Sequence, residues 1–349
     1  MDPGVPLTTI VVIERESFSS TITTLETLVA HTPEPRRVVV VDSGASRATR
    51  RRLDRFATEH DITLLRSDTL LNANEERNIA LPHVETEYVA FIDNDSIVPP
   101  GWLSALEQCA RETGAALVSP VITWGPPGNV TIHFAGGVTR IADDGGVRSL
   151  ERRDLMFHGL DELDSLERAP MTAVEIHCVL ARTDVVRRIG PLDESLMTVR
   201  DHIDLGQRVL ADGGSIWLEP AVVVYYLWPK RLTWRDSVFY LARWSEDWIE
   251  RSHASFNARW RINVSSLDDA QRESYRRRRL RREPWPPGWR GRVERTRFRA
   301  RVRIDRFGTP LIVRHFDRQR ARAKPPRVVH AATWDTRARA PVTHAATLP

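Results

Sequence analysis

The chain reads as short apolar runs separated by amphipathic ones. Residues 8–13, 37–41, 62–66, 88–92 and 116–121 are brief stretches of Val, Ile, Leu and aromatic residues bounded by turn formers. Strands covered on both faces have that pattern. Between them, residues 19–28, 49–60, 74–81 and 102–113 carry apolar residues at helical spacing, for example Ile22, Leu25 and Leu28. Strands alternating with helices predict an α/β fold with a parallel, doubly wound sheet. The middle is less regular. Turn clusters at 125–128 and 143–146 frame strand-like residues 130–141, and 149–170 reads as a surface excursion. A regular segment at 174–182, helices at 183–189 and 203–211, a strand region at 215–226 and a helix over 232–252 follow. The expected division is a domain over 1–255 with halves meeting near 121, a basic extension over 256–330 and a disordered tail over 331–349.

Charge sharpens that division. Residues 271–330 hold 21 Lys and Arg against 5 Asp and Glu, a net of +16, whereas the first 270 residues net −12. An acidic body therefore carries a basic extension. Arg276–Arg279 cluster densely, and Trp285 and Trp289 sit among the arginines. Trp with Arg suits an anionic membrane–water interface, so a membrane surface is the expected partner of 271–330. Nucleic acid is the rival partner, and no nucleic-acid motif supports it. Two cysteines, Cys109 and Cys178, make no disulfide framework and fit a reducing compartment. No stretch has the ~20 apolar residues that span a bilayer, and no signal peptide is evident. The expected location is cytoplasmic, or peripheral at the inner face of the membrane.

Candidate chemistry gathers where the apolar runs stop. The run at 88–92 breaks at Asp93-Asn94-Asp95, and Pro99-Pro100-Gly101 follow, so the carboxylates sit on a turn. In open α/β sheets ligands bind at the carboxyl ends of strands. Two hard oxygen ligands there suit Mg²⁺ or Mn²⁺, and those ions suit a diphosphate. Asp42 closes the second run in the same way. It can take a base or ribose hydroxyls, or it can simply make an Asx turn. Arg77, near a helix start, can bind a diphosphate or pair in solvent with Glu75 or Glu76. Asp201 and His202 offer a general base.

These pieces, in this order, resemble glycosyltransferase family 2. The carrying segments are TTIVVIERE, VVVVDSGA, EERNIAL, AFIDNDSIVPPGWL, IGPLDESL and RDHIDLGQRVLADGG, spread over residues 7–227. The resemblance implies a GT-A nucleotide-diphospho-sugar transferase fold: a Rossmann-like, mostly parallel sheet, with a nucleotide-sugar half at about 1–121 and an acceptor half at about 122–255. It implies transfer with inversion from a UDP, GDP or dTDP sugar to a glycan or lipid-linked acceptor, in cell-surface polysaccharide or glycoconjugate synthesis. Asp42, Arg77 and Asp93 would then lie on the donor, and Asp93 and Asp95 on the metal. Asp201 and His202 would carry the general base. His133, beside Gly136-Gly137, and Glu175 with His177 would face the acceptor.

Three positions depart from the family pattern. His202 stands where an Asp is expected, so either Asp201 or His202 could be the base, and a degenerate protein that binds nucleotide or glycan, or scaffolds a membrane assembly, is the alternative. Asn72 stands where glycine is common and tolerates a left-handed backbone. Tyr225-Tyr226 stand where a histidine is frequent, so no third metal ligand is expected there. A sugar nucleotidyltransferase would need a Gly-rich loop where Glu14-Arg15-Glu16 stand. A dehydrogenase would need G-x-G-x-x-G after a strand, and none occurs.

Overall fold

The computed structural model describes residues 5–33, 36–124, 130–154, 160–227, 232–263, 269–280, 288–322 and 324–333. The turn expected at 125–128, Trp285 and the tail from 334 lie outside these residues. β1 (Thr8–Ile13), α1 (Thr21–His31), β2 (Arg37–Asp42), α2 (Arg47–Glu59), β3 (Thr63–Arg66), α3 (Ala73–Ala80) and β4 (Tyr88–Asp93) form the first half. In it β1 lies between β2 and β4, β2 pairs with β3, and all four strands run parallel. Every residue of β1 and β4 is buried. With both faces covered, side-chain alternation cannot set the register. The polar ends do, as Ile13 pairs with Asp93 at the carboxyl edge.

The second half departs from a simple parallel winding. After β5 (Ser96–Ile97) and α4 (Trp102–Thr113) come β6 (Leu117–Trp124), β7 (Thr131–Phe134) and a separate hairpin of β8 (Gly137–Asp144) and β9 (Val147–Asp154). β10 (Ala169–Met171), β11 (Cys178–Arg182), α5 (Thr183–Ile189), α6 (Asp201–Ala211) and β12 (Ile216–Tyr226) follow. β11 sits between β4 and β6 and is antiparallel to both. Its reversed direction brings its amino end to the carboxyl edge of β4. Glu175 and His177, just before β11, therefore arrive beside the Asp93 turn, and the Asp93 N–H donates to the His177 carbonyl over 3.0 Å. β12 pairs with β5 through Tyr225 and Tyr226, and the Leu227 N–H donates to the Asp95 carbonyl. The metal-type turn is thus pinned from both sides.

Several local expectations change. Asn72 has an extended backbone (φ −88°), not a left-handed one. It caps α3, accepting from the Asn74 and Glu75 N–H groups while Glu75 reaches back to its own N–H. The single helix expected over 232–252 is two, α7 (Trp234–Arg243) and α8 (Glu246–Trp260), because Ser245 accepts from the Trp248 N–H and starts a new helix. The domain end expected at 255 falls inside α8.

The basic extension is built into the body. It forms α9 (Asp269–Leu280), α10 (Gly288–Arg320) and β13 (Arg327–His330), which adds antiparallel to β3 at the sheet edge. The charge asymmetry explains the docking: Arg272 pairs with Glu246 and Glu250, Arg278 with Glu16, and Arg320 with Glu75. Among the described residues no helix is long and apolar enough to cross a membrane. Cys109 and Cys178 are buried and free.

Candidate functional site

The site grows from the end of β4. Asp93 and Asp95 are fully buried, and Asn94 between them turns inward. Its amide donates to the Ser17 carbonyl and the Thr21 hydroxyl, and its oxygen accepts from the Arg15 N–H. That tie fixes the loop after β1 against the Asp93 turn, and the loop delivers Arg15. Arg15 Nη1 lies 2.5 Å from Asp201, and its Nε lies 3.3 Å from Asp93. Arg77, with no exposed side-chain surface, lies 2.9 Å from Asp93 and 3.3 Å from Asp201. Two guanidiniums thus bridge two carboxylates that are 108 residues apart in sequence. The solvent pairing of Arg77 with Glu75 or Glu76 does not occur, since α3 turns Arg77 into the core and Glu75 goes to Arg320.

The electrostatics separate the acids. Burial works against the Asp201 charge, but Arg15, the nearby His202 and Arg77 outweigh it and hold the carboxyl well below the usual range. Burial likewise opposes the Arg15 charge, and Asp201 and Asp93 still raise its pKa well above the ordinary value. Asp95 is the opposite case. Neither carboxylate oxygen has a hydrogen-bond partner among the described residues. Burial, followed by the neighbouring Asp93 charge, pushes its pKa up to about 8. A buried carboxylate without a partner is costly, and a cation is the usual remedy.

Beside Asp95 lies a compact group. Ligand atoms of His133, Glu175 and His177 all fall within 4.8 Å of one another. Glu175 takes the His177 Nδ1 at 2.7 Å, and His133 Nε2 lies 3.9 Å from its other oxygen. Burial opposes both charges of the closer pair, yet each partner's charge prevails, lowering Glu175 and raising His177. Burial pushes His133 down to about 3. The Tyr226 ring packs 4.4 Å from His177, and Arg278 donates to its hydroxyl. The expected acceptor-side residues and the expected metal turn therefore share one neighbourhood.

Asp42 stands apart. It accepts from the Ala45 N–H three residues on, and its carboxylate also pairs with Arg66 at 2.5 Å and Arg50 at 3.2 Å. His202 lies at the other margin, its Nδ1 3.5 Å from Asp201, and lines a pocket on that side. Sequence reasoning missed Arg15, Glu16 and Arg278. Glu16 accepts from Trp244 Nε1 and pairs with Arg243 and Arg278 at 3.5 Å. The signal for the first two was available: a charged triplet directly after the buried β1 must end at the same sheet edge as Asp93. Glu14, the first of that triplet, accepts from the Ser43 and Gly44 N–H groups, while Glu76 accepts from the Glu14 N–H. Burial raises both carboxyls well above the usual range.

Residues 9–160 match the family model described as glycosyl transferase family 2. The pre-mycofactocin glycosyltransferase of Mycobacterium tuberculosis is 28% identical over 193 residues, 54% of this chain and 37% of that protein. The crystal structure of GalNAc-T7 with UDP, GalNAc and Mn2+ superposes with a TM-score of 0.52 at 16% identity, over 79% of this chain and 55% of that one. The chain thus spans about a third to a half of the length of these relatives.

Proposed function

Since the chain carries a glycosyltransferase family 2 domain on a GT-A fold, we propose that it moves a sugar from a nucleoside-diphosphate sugar to an acceptor hydroxyl with inversion. The observation that carries this is Asp95: a buried carboxylate, unpartnered among the described residues, at the strand edge where such folds bind ligands. The donor set fits a divalent ion. Asp95 offers hard oxygens, and the His177 imidazole, oriented through Nδ1 by Glu175, is near enough for its charge to act on Asp95. Mg²⁺ or Mn²⁺ bound there supplies charge neutralisation for a leaving diphosphate.

The chain's own residues do the rest. Arg15 and Arg77 fix Asp93 and Asp201 and keep the site's carboxylates from repelling one another. Asp201 is a poor base, because two guanidiniums occupy it and hold it ionised. His202 is the better one: it lines an open pocket that an acceptor hydroxyl can enter, and histidine is the commonest general base. It would take the acceptor's proton as that oxygen attacks the anomeric carbon from the face opposite the diphosphate.

The test is a thermal-shift panel of UDP, GDP, dTDP and their sugars, with and without Mn²⁺, on wild type and Asp95→Ala. UDP with Mn²⁺, the pair in the GalNAc-T7 structure, heads it. A ligand at 100 times its dissociation constant stabilises by about 2.7 kcal/mol. A metal-dependent shift for one nucleotide, lost in the variant, is the expected result. No shift with any nucleotide would overturn the donor site and leave the degenerate scaffold in its place.

A further inference from the structure

Behind His202 lies a pocket of about 540 Å³ that also contains Arg152, Arg200, His253, Asn257 and Tyr275. Arg200 immediately precedes α6 and has a left-handed backbone, φ +74°. Asp201 goes to Arg15 and Arg77, while Arg200 turns into the pocket. Its guanidinium stacks 5.6 Å from the Phe256 ring centroid, and Nη2 reaches His253 Nδ1 only at 3.5 Å. Its Nε has no hydrogen-bond partner, and no carboxylate of a described residue pairs with it. The contrast with its neighbours is sharp, since the buried Arg15, Arg77 and Arg243 and the partly exposed Arg278 each have an acid. A guanidinium cannot shed its charge. A largely buried one without a counter-ion carries a desolvation penalty that an incoming anion relieves. Burial lowers the Arg200 pKa; Tyr275 works against that and Arg152 adds to it.

From this, we infer that the pocket is the acceptor site and that the acceptor carries an oxyanion, phosphate or carboxylate, held by Arg200 with its hydroxyl toward His202. The inference rests on His202 being the base. Arg200 can take two acceptor oxygens in its planar fork, which sets the orientation as well as the charge preference.

The experiment titrates inorganic phosphate into the full chain at constant ionic strength and follows the imidazole resonances of His202 and His253. His253, on α8, reports on this pocket and not on the donor side. Saturable shifts are expected in wild type, at least tenfold weaker in Arg200→Gln and within threefold of wild type in Arg200→Lys. Equal affinity in the Gln variant, or no response in wild type, overturns the inference. Should the Gln variant not fold, the wild-type response decides alone. Acetate and phosphatidylglycerol vesicles form the other arms. Stronger Arg200-dependent binding of acetate assigns a carboxylate, and of the vesicles a lipid headgroup. UDP with Mn²⁺ on the Asp95→Ala pair runs alongside. Loss of phosphate binding alone removes the acceptor inference, and loss of nucleotide binding alone removes the transferase reading.

Discussion

Replacing Asp95 with Asn should make the metal-free protein more stable, not less. In the fold the Asp95 carboxyl keeps its proton up to about pH 8, against an ordinary value of 3.8. A raised acid contributes its full stability below the unfolded value and loses it as pH rises toward the folded value. Each pH unit in that window is worth about 1.4 kcal/mol, so at pH 7 the upper limit is about 4 kcal/mol. An amide in the same place also lacks partners and costs about 1–3 kcal/mol. The net gain for Asp95→Asn at pH 7 is therefore about 1–3 kcal/mol, a few degrees in melting temperature. At pH 4 the gain vanishes or reverses. Mn²⁺ displaces the proton, so it should stabilise wild type more at pH 8 than at pH 6 and leave the variant unmoved. Melting curves from pH 4 to 8, with and without Mn²⁺, read all of this. A melting difference that stays constant across pH, with Mn²⁺ shifting both proteins equally, would refute the reasoning.

Other perturbations separate the roles of neighbours. Asp201→Asn removes the carboxylate shared by Arg15 and Arg77 and should cost about 3–5 kcal/mol in urea unfolding. His202→Ala should leave that midpoint nearly unchanged and slow sugar transfer by about 10²–10⁴-fold, the usual worth of a general base. If Asp201→Asn unfolds like wild type, the clamp is not structural. Arg278→Ala strips Glu16 of one cation and uncovers the Trp244 face, 4.1 Å from the guanidinium carbon. Because Arg243 remains on Glu16, the loss should be about 2–3 kcal/mol, less than for a fully broken buried pair, with a change in tryptophan emission. Deleting residues 324–349 exposes the β3 edge that β13 covers. Concentration-dependent association in sedimentation is expected, because an open edge templates pairing. A monomer at all concentrations would show that the edge is protected without β13.

The parts legible in the sequence were those whose physics is local. Parallel strands covered on both faces leave contiguous apolar runs, so β1, β2 and β4 stood out. The abrupt end of β4 in Asp93-Asn94-Asp95 marked the candidate site. What escaped is carried by distant partners. Direction is not encoded in a short apolar run, so nothing near β11 announced that it is antiparallel and delivers His177 beside Asp93. Arg15 meets Asp201 across 186 positions. The basic extension was plain as charge, but its destination depended on where the fold gathered Glu16, Glu75 and Glu246. The break between α7 and α8 rests on one serine side chain, a cap that a continuous helical pattern conceals.

The same clamp bears on whether the site is degenerate. Arg15 and Arg77 already neutralise Asp93 and Asp201, which is what a scaffold without a cation would need in order to bury two carboxylates. Were that the whole site, Asp95 should be paired as Asp93 and Asp201 are, or replaced by an uncharged residue at no loss to the fold. Instead its oxygens stay unpartnered among the described residues, although Arg15 and His177 lie near enough to act on it and each serves another acid. In the metal-free protein a proton, held up to about pH 8, is what compensates this acid, and Glu175 has already oriented an imidazole nearby. That pattern supports the proposed cation site. If Asp95→Asn stabilises the chain and abolishes its response to Mn²⁺ together, the stability difference measures the strain kept for binding. If it does only the first, Asp95 is a relic and the scaffold account holds.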